Sequence, residues 1–388
     1  MATIDRSSIA GIGSPAGLPT AIRGRGAVAN LSHRFDTLIR EAVHDDLPCD
    51  DAGQEPDALF KTTVQVEQAR RVLSRNQSPD VPFDVAVNPY RGCEHGCVYC
   101  FARPTHAYLG YSPGLDFETR LIAKANAVEA LRAELSRPGY VVSPINFGSA
   151  TDLYQPIERE WRLTRGLLSL MRETRHPFSL VTKNALVERD IDVLSDLARD
   201  NLAAVYVSIT SLDNALSSKL EPRASAPWRR LRAVQALTRA GIPVGVLVAP
   251  VIPFVTDADL EHVVQAAAEA GAVSVSYTVL RLPYEVKDIF EAWLQAHFPE
   301  RAERVLHRIE DMREGRRNDS RFGSRMRGTG LWADLLRQRF ELAVRRHKMA
   351  RARIALNHTL FTPPQAVPSP RKRAVAAADA SVQLGLFD

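Results

Sequence analysis

Cys93, Cys97 and Cys100 are three of only four cysteines in the 388 residues, and they share the run Asn88-Pro-Tyr-Arg-Gly-Cys-Glu-His-Gly-Cys-Val-Tyr-Cys-Phe101. Thiolates bind thiophilic iron and zinc, and three on one short loop can hold three corners of a metal centre while the fourth stays open for chemistry. Alternatively, His95 or His106 could fill that corner and close a structural zinc site of three cysteines and one histidine. Spacing alone does not separate these readings. Against zinc stand the lack of a second knuckle and the presence of Tyr99, which has no structural duty in a zinc finger. Gly92 and Gly96 give the loop its freedom to turn. Chance proximity of three core cysteines is the weaker reading, and Cys49, in an acidic stretch, reads as an exposed or loosely packed thiol.

Elements that could position this loop begin at Phe83. Short β-branched or apolar runs at Phe83–Val87, Ile145–Phe147, Phe178–Val181, Ala203–Ile209, Val244–Val248 and Val273–Tyr277 alternate with helical periods. Those periods fall at about 117–135, 160–175, 190–200, 226–240 and 257–270. Strands separated by helices imply a parallel sheet. Ser225 with Pro227, and Thr256 with Asp257 and Asp259, read as helix starts, and Gly241 and Gly271 as helix stops. Polar residues gather just past the strand runs, at Ser149 to Asp152, Thr182-Lys183, Ser208 and Thr210, and Pro250 to Pro253. In a parallel α/β barrel those carboxyl ends form the active face, and the cysteine loop follows the first strand onto it.

Residues 1–78, rich in Gly, Pro, Ala and Ser from Gly11 to Gly26 and acidic from Glu41 to Asp51, read as an extended, partly disordered arm. The core barrel is expected over 79–280, a helical extension over 281–360 and a flexible tail over 361–388. At 43.0 kDa, with 45% hydrophobic and 24% charged residues, the chain has the size and balance of a soluble enzyme. Met1 to Arg6 is followed by Gly, Ser and Pro rather than an apolar run, and no stretch approaches a membrane span. A cytoplasmic, reducing setting with no membrane partner is the expectation. The net charge of +5 and pI near 9.1 are mildly basic. Arginines are dense from Arg301 to Arg353 and in Arg371-Lys372-Arg373, which could neutralise phosphates or simply solvate helix faces.

The cysteine spacing, with an aromatic residue before the third cysteine, resembles the signature of radical S-adenosylmethionine enzymes. The likeness runs from about Phe83 to Tyr277. Thr151-Asp-Leu-Tyr-Gln-Pro-Ile-Glu158, Val181-Thr-Lys183, Glu188-Arg-Asp190, Val207-Ser-Ile209 and Leu220-Glu-Pro-Arg223 resemble the branch that includes spore photoproduct lyase and its uncharacterised bacterial relatives. The resemblance implies a partial (β/α)6 TIM-like barrel with a C-terminal helical extension. It also implies a 4Fe-4S cluster on Cys93, Cys97 and Cys100 whose fourth iron is chelated by S-adenosylmethionine, and reductive cleavage to a 5′-deoxyadenosyl radical. Tyr99 then packs near the adenine, Lys183 pairs with the cofactor carboxylate, and Ser208 hydrogen-bonds the ribose. Thr151 and Asp152 face the methionine moiety, and Arg223 lies near the same site. A flavodoxin- or ferredoxin-like reductant is the implied electron source.

Two departures bear on the reaction. Where the lyase has a cysteine hydrogen donor this chain carries Ser149, and where it has a tyrosine after the third cluster cysteine this chain has Phe101. A hydroxyl hydrogen is far harder to give to a carbon radical than a thiol hydrogen, so a lyase-like or modifying reaction by another route is expected. The C-terminal Gln383-Leu-Gly-Leu-Phe387 resembles the pentapeptide with which bacterial replication and repair proteins bind the DNA polymerase sliding clamp. Leu384, Leu386 and Phe387 are the apolar anchors and Gln383 the directional one. The reading is a radical enzyme acting on nucleic acid or a DNA-associated substrate, in repair or modification. The alternatives are a zinc-binding, nucleic-acid-associated protein without catalysis, and a radical enzyme acting on protein or RNA.

Overall fold

The computed structural model describes residues 20–36 and 61–365. In chain order its strands are β1 (Thr63–Glu67), β2 (Leu73–Arg75), β3 (Val85–Val87), β4 (Tyr90–Arg91), β5 (Arg120–Lys124), β6 (Ile145–Phe147), β7 (Phe178–Thr182), β8 (Ala203–Ser208), β9 (Val244–Val251) and β10 (Ser274–Val279). The larger sheet has the order β10-β9-β8-β7-β6-β3-β2. From β3 to β10 every pairing is parallel, and β2 runs antiparallel at the edge. The six parallel strands are the six apolar runs of the sequence. The near-continuous burial of β3, β6, β7, β8 and β9, as in Phe178–Thr182, is what a sheet covered on both faces requires, while the edge strand β10 is partly exposed. The sheet stays open, with β2 and β10 as its edges, which makes this a partial barrel.

The helices are α1 (Asp116–Thr119), α2 (Ala127–Leu135), α3 (Glu158–Trp161), α4 (Leu163–Thr174), α5 (Ile191–Ala198), α6 (Asn214–Leu220), α7 (Pro227–Arg239), α8 (Leu260–Glu269), α9 (Val286–His297), α10 (Pro299–Asp311) and α11 (Gly330–Arg346). Pro227 opens α7 at its first turn, and Gly241 and Gly271, at φ +77° and +90°, end α7 and α8 in the left-handed region that favours glycine. The expected caps differ. Ser225 caps no helix; its hydroxyl accepts from Ala185 N at 2.9 Å and donates to Asn184 Oδ1 at 3.2 Å. Thr256 accepts from Ile252 N at 2.8 Å, ahead of a single 3-10 turn that precedes α8.

Residues 117–135 form no single helix. β5 intervenes between α1 and α2 and joins β1 and β4 in a small second sheet of order β1-β5-β4. Arg120 to Lys124 carries an apolar stretch whose partner, β1, lies far back in the chain, so local periodicity could not assign it.

The arm reading also fails where residues before 79 are described. Residues 63–75 supply β1 and β2, and 20–36 lies against the core. Gly26 N and Ala27 N donate to the Glu118 carboxylate at 3.0 and 2.8 Å, Leu31 N to Ser112 Oγ at 2.9 Å, and Arg34 pairs with Glu285 at 2.9 Å. These contacts are backbone N–H groups meeting polar side chains, with one ion pair, and they leave no hydrophobic period in the sequence. Residues 1–19, 37–60, with Cys49, and the tail with Gln383, Leu384, Leu386 and Phe387 lie outside the described residues.

Beyond β10, α11 packs on α8, with Arg339 paired to Glu261 at 2.7 Å and the rings of Tyr277 and Phe340 4.6 Å apart. The gap between the sheet edges is spanned by residues 318–328 rather than by a helix. Met326 O accepts from Val279 N at 2.9 Å, and Gly323 N donates at 2.7 Å to Asp80, in the connection between β2 and β3. Residues 350–360, expected within the helical extension, and 361–362, expected in the tail, run extended across the amino ends of the strands. Ala350 N bonds Val273 O at 3.1 Å, Asn357 N bonds Asn201 O at 2.8 Å and Thr362 N bonds Thr174 O at 2.8 Å. Among the described residues no helix is long and apolar enough to cross a membrane.

Candidate active site

The cysteine loop turns through Gly92 and Gly96, at φ +74° and +65°. Cys93 N bonds Phe117 O at 2.9 Å, Val98 N bonds Leu220 O at 3.1 Å, and Cys100 N bonds Cys97 O at 3.2 Å. Beneath it lies the fully buried Arg103. Its guanidinium donates to Cys97 O at 2.9 Å, Gly96 O at 3.1 Å, Pro113 O at 3.0 Å and Gly114 O at 2.9 Å, and it pairs with buried Glu118. Glu118 also holds Gly26 and Ala27, so one ion pair staples the loop to the 20–36 segment. Close approach is essential here, since a side chain at Gly26 would put its Cβ 1.7 Å from Gly96 O.

Cys93 and Cys97 are buried and Cys100 half-buried. Burial pushes the Cys97 thiol up to about 12 and Cys93 well above its ordinary value, so both are protonated at neutral pH. Cys93 and Cys100 pack together against Phe117 and Ala102. The described residues contain no group of three or more Cys, His, Asp or Glu side chains already arranged as a metal cage.

Around the loop the strand ends converge. His95 Nδ1 meets Asp152 Oδ2 at 3.3 Å and its Nε2 meets Asn184 Nδ2 at 3.2 Å, so both ring nitrogens are engaged. His106 bonds Arg120 O through Nε2 at 2.9 Å, and its Nδ1 is buried without a partner. Asp152 also accepts from Lys183 N at 2.7 Å, Tyr154 N at 2.8 Å and Thr182 Oγ1 at 2.8 Å. Burial would raise its carboxyl, but His95 and these donors hold it at about 2. Its lone pairs are thereby used in joining the cysteine loop to β7.

Lys183, just past the end of β7, places Nζ 5.9 Å from the Tyr99 ring, and its ammonium makes no hydrogen bond or ion pair with any described residue. Burial disfavours its charge, yet Cys97 and Glu221 more than offset that and raise its pKa. Tyr99 is buried, and its hydroxyl donates to Glu221, with Thr210 Oγ1 at 3.3 Å. Glu221 pairs with the buried Arg230, whose Nη1 donates to Ser208 O at 3.0 Å. Burial opposes ionisation of Glu221, but Arg230, Lys183 and the Tyr99 hydrogen bond hold it at about 2. The Ser208 side chain is buried at the end of β8, and its hydroxyl bonds no described residue.

Tyr99, Lys183, Asp152 and Ser208 are thus brought around the cysteines. Thr151 and Arg223 stand differently. Thr151 spends its hydroxyl on Tyr90 O at 3.2 Å. Arg223 pairs with Glu94 at 3.0 Å and donates its backbone N–H to His95 O at 3.3 Å, bracing the loop. Ser149 accepts from Asn88 Nδ2 at 3.2 Å. Sequence reasoning gave no role to Glu221, although it stands in the Leu220–Arg223 run, and passed over Arg230, Arg103 and Glu118. One signal was available: Arg230 shares the buried face of α7 with Pro227, Ala233, Val234 and Leu237, an anomalous charge in an apolar stripe.

The site is thus a parallel α/β sheet, open at its edges, with three thiols on the loop after its first parallel strand and polar side chains at the neighbouring strand ends. Residues 87–267, a little under half of the chain, match the family model described as the radical SAM superfamily. An uncharacterised protein of Mycobacterium tuberculosis is 37% identical over 222 residues, 57% of this chain and 65% of that protein. The match therefore spans just under two thirds of the mycobacterial relative's length. An uncharacterised protein of Methanocaldococcus jannaschii is 24% identical over 241 residues, 62% of this chain and 86% of that protein. Among solved structures, a spore photoproduct lyase variant with bound AdoMet and dinucleoside spore photoproduct covers 73% of this chain and 78% of its own, at TM-score 0.52 and 16% identity. At that identity the likeness is one of fold. Members of the superfamily use a 4Fe-4S cluster and S-adenosylmethionine.

Proposed function

We propose that this protein is a radical S-adenosylmethionine enzyme acting on nucleic acid. The observation that carries the reading is the pairing of three thiols on one loop with two polar groups that have no partner among the described residues, Lys183 Nζ and Ser208 Oγ, at the neighbouring strand ends. Lys183 is half-buried and keeps its charge, so its ammonium is free to take a ligand anion. The donor set fits the family's cofactors: Cys93, Cys97 and Cys100 would hold the cluster, Lys183 the cofactor carboxylate and Ser208 its ribose. When bound, cluster and cofactor supply a one-electron cleavage and a hydrogen-abstracting radical, chemistry that belongs to them rather than to the protein.

This chain's own residues bind, orient and exclude water. Glu221, Arg230 and Thr210 fix the Tyr99 ring beside Lys183. Asp152 fixes His95 and the backbone of Lys183, and Arg103 with Glu118 fixes the loop from below. Cys93 and Cys97 must lose protons on loading, so burial couples metal uptake to pH. A reductant of the flavodoxin or ferredoxin kind would supply the electron. Nucleic acid as substrate draws support from the spore photoproduct lyase structures, one of which is complexed with dinucleoside spore photoproduct. The tail residues Gln383, Leu384, Leu386 and Phe387 would recruit the enzyme to a sliding clamp. Loss of co-purification with the clamp on deleting 383–388 is the expected result, and unchanged co-purification would refute it.

Anaerobic reconstitution with iron and sulfide, followed by assay of 5′-deoxyadenosine, tests the central reading. Product that disappears in Cys97→Ala supports it. A colourless protein carrying zinc and no sulfide, inactive after reconstitution, would sink it in favour of a zinc-binding role.

A further inference from the structure

Most exposed large aromatic side chains among the described residues are not scattered. Tyr108 (73% exposed) follows the cysteine loop, Tyr284 (65%) follows β10, and Phe35 comes from the 20–36 segment. All three rings surround the Arg34 guanidinium, at 5.3, 4.3 and 4.7 Å from their centroids, and Glu285 anchors that guanidinium at 2.9 Å. The Phe35 and Tyr108 rings lie 5.1 Å apart. Phe101 (52% exposed) directly follows Cys100, and the Arg281 guanidinium lies 6.0 Å from its ring. Arg325, an electrostatic neighbour of Arg281, lies 4.5 Å over exposed Phe322. The aromatics thus fall in two groups, Phe35, Tyr108 and Tyr284 about Arg34, and Phe101 and Phe322 beside Arg281 and Arg325, which the short runs from Phe101 to Tyr108 and from Arg281 to Tyr284 connect along the chain.

Single exposed apolar residues are ordinary, but a row of rings held by guanidinium groups is a patterned surface. Its charge is equally patterned. Residues 313–328 contain six arginines against two acids. Arg316 and Arg327 are exposed and have no acidic partner among the described residues, and Arg281 reaches only the Met326 sulfur, at 3.7 Å. Flat apolar faces beside unpaired arginines match one kind of polymer, an anionic chain carrying flat rings whose faces are free. A duplex hides its base faces in its own stack, and an acidic peptide would use the charges but leave the rings unused.

We propose that Phe35, Tyr108, Tyr284, Phe101 and Phe322 form a stacking track for unpaired nucleotides, with Arg281, Arg316 and Arg327 on the phosphates, leading a single strand to the cysteine site. The inference rests on the nucleic-acid reading above and narrows it to unpaired or locally melted substrate. Because Phe101 adjoins Cys100, the track ends beside the proposed cluster. Arg34, wedged among three rings, holds them in place before binding and so lowers the ordering cost.

The full chain as purified, without reconstitution, is titrated by fluorescence anisotropy against labelled oligothymidylate, oligouridylate and a duplex of equal length, roughly 15 nucleotides, a single-strand site's span. Either single strand is expected to bind more tightly than the duplex, and the deoxy and ribo arms identify which sugar is preferred. Tyr108→Leu and Tyr284→Leu keep apolar bulk but lose the π-face, and each should weaken binding by about fivefold or more. Tyr108→Trp should retain it, and Trp228→Leu, an exposed aromatic elsewhere, should change nothing. Arg327→Gln should make the salt dependence shallower by about 0.7 in log–log slope. Binding that survives both leucine variants within twofold, or displacement of the oligonucleotide by polyglutamate at matched charge, overturns the track. If no nucleic acid binds at all, the substrate reading falls with it, whereas intact binding with neutral leucine variants refutes the track alone.

Discussion

Glu221 and Arg230 are buried charges 122 and 131 positions from Tyr99 in a sense that matters less than their effect: they fix the ring that stands beside Lys183. Removing one partner strands the other in the interior, so Glu221→Gln should lower stability by about 3–5 kcal/mol, read as a fall in chemical-denaturation free energy. The same pair gives an acid limit. Glu221 is held at about 2 against an ordinary 4.5, so its contribution is complete above pH 4.5 and is lost as pH falls towards 2. A wild-type stability curve that falls through this window, with the Glu221→Gln curve flatter there, checks the sign. Lys183 makes no comparable structural contact, so Lys183→Met should leave the fold intact. In reconstituted protein it should weaken S-adenosylmethionine by about 10- to 100-fold, the range for a lost charge-assisted hydrogen bond, measured by equilibrium dialysis. In the metal-free protein, iodoacetamide should alkylate Cys100 before Cys93 and Cys97, with Cys97 reacting faster as pH rises towards its value near 12. Equal rates at pH 7, resolved by peptide mass, would contradict the burial argument.

At the scale of elements, the cysteine loop is held between two supports. The strand ends of β7 and β8 meet it through Asp152, His95 and Glu221, and the 20–36 segment meets it through Glu118. Gly26 is the tightest point of the second support. Gly26→Val cannot fit without moving the segment off Gly96, and should cost about 1–3 kcal/mol by overpacking. Limited proteolysis should then cut within 20–36 while the sheet survives by circular dichroism. Protease resistance equal to wild type would show that the segment does not depend on this contact.

For the whole molecule, the open sheet is completed by loops at opposite ends. Residues 318–328 tie its two edges near the active face, and 350–362 cross the amino ends. Arg353 reaches in to donate to Ser179 Oγ at 2.8 Å, and the Tyr206 hydroxyl accepts from Ile354 N at 3.1 Å. A chain ending at 365 should keep the thermal midpoint of the full protein, whereas one ending at 349 should melt several degrees lower, by about 4 °C or less per kcal/mol at this size. Equal midpoints for both truncations would show that the crossing segment adds nothing.

The sheet was legible because each inner parallel strand, buried on both faces, must be an apolar run, and the helices between them must be amphipathic. The cysteines were legible because thiols spaced so closely are rare and chemically committed. Lys183 and Ser208 could be placed at strand ends for the same topological reason, though only three dimensions show that neither side-chain polar group has a partner among the described residues. What local pattern could not carry was everything made by distant polar partners: β5 read as helix, the 20–36 segment read as a loose arm, and the buried pairs Glu221 with Arg230 and Arg103 with Glu118. Hydrophobic periodicity reports which face of an element is buried, because that depends on neighbours in sequence. Which charge meets which depends on where the folded chain returns, and only the tertiary structure decided it.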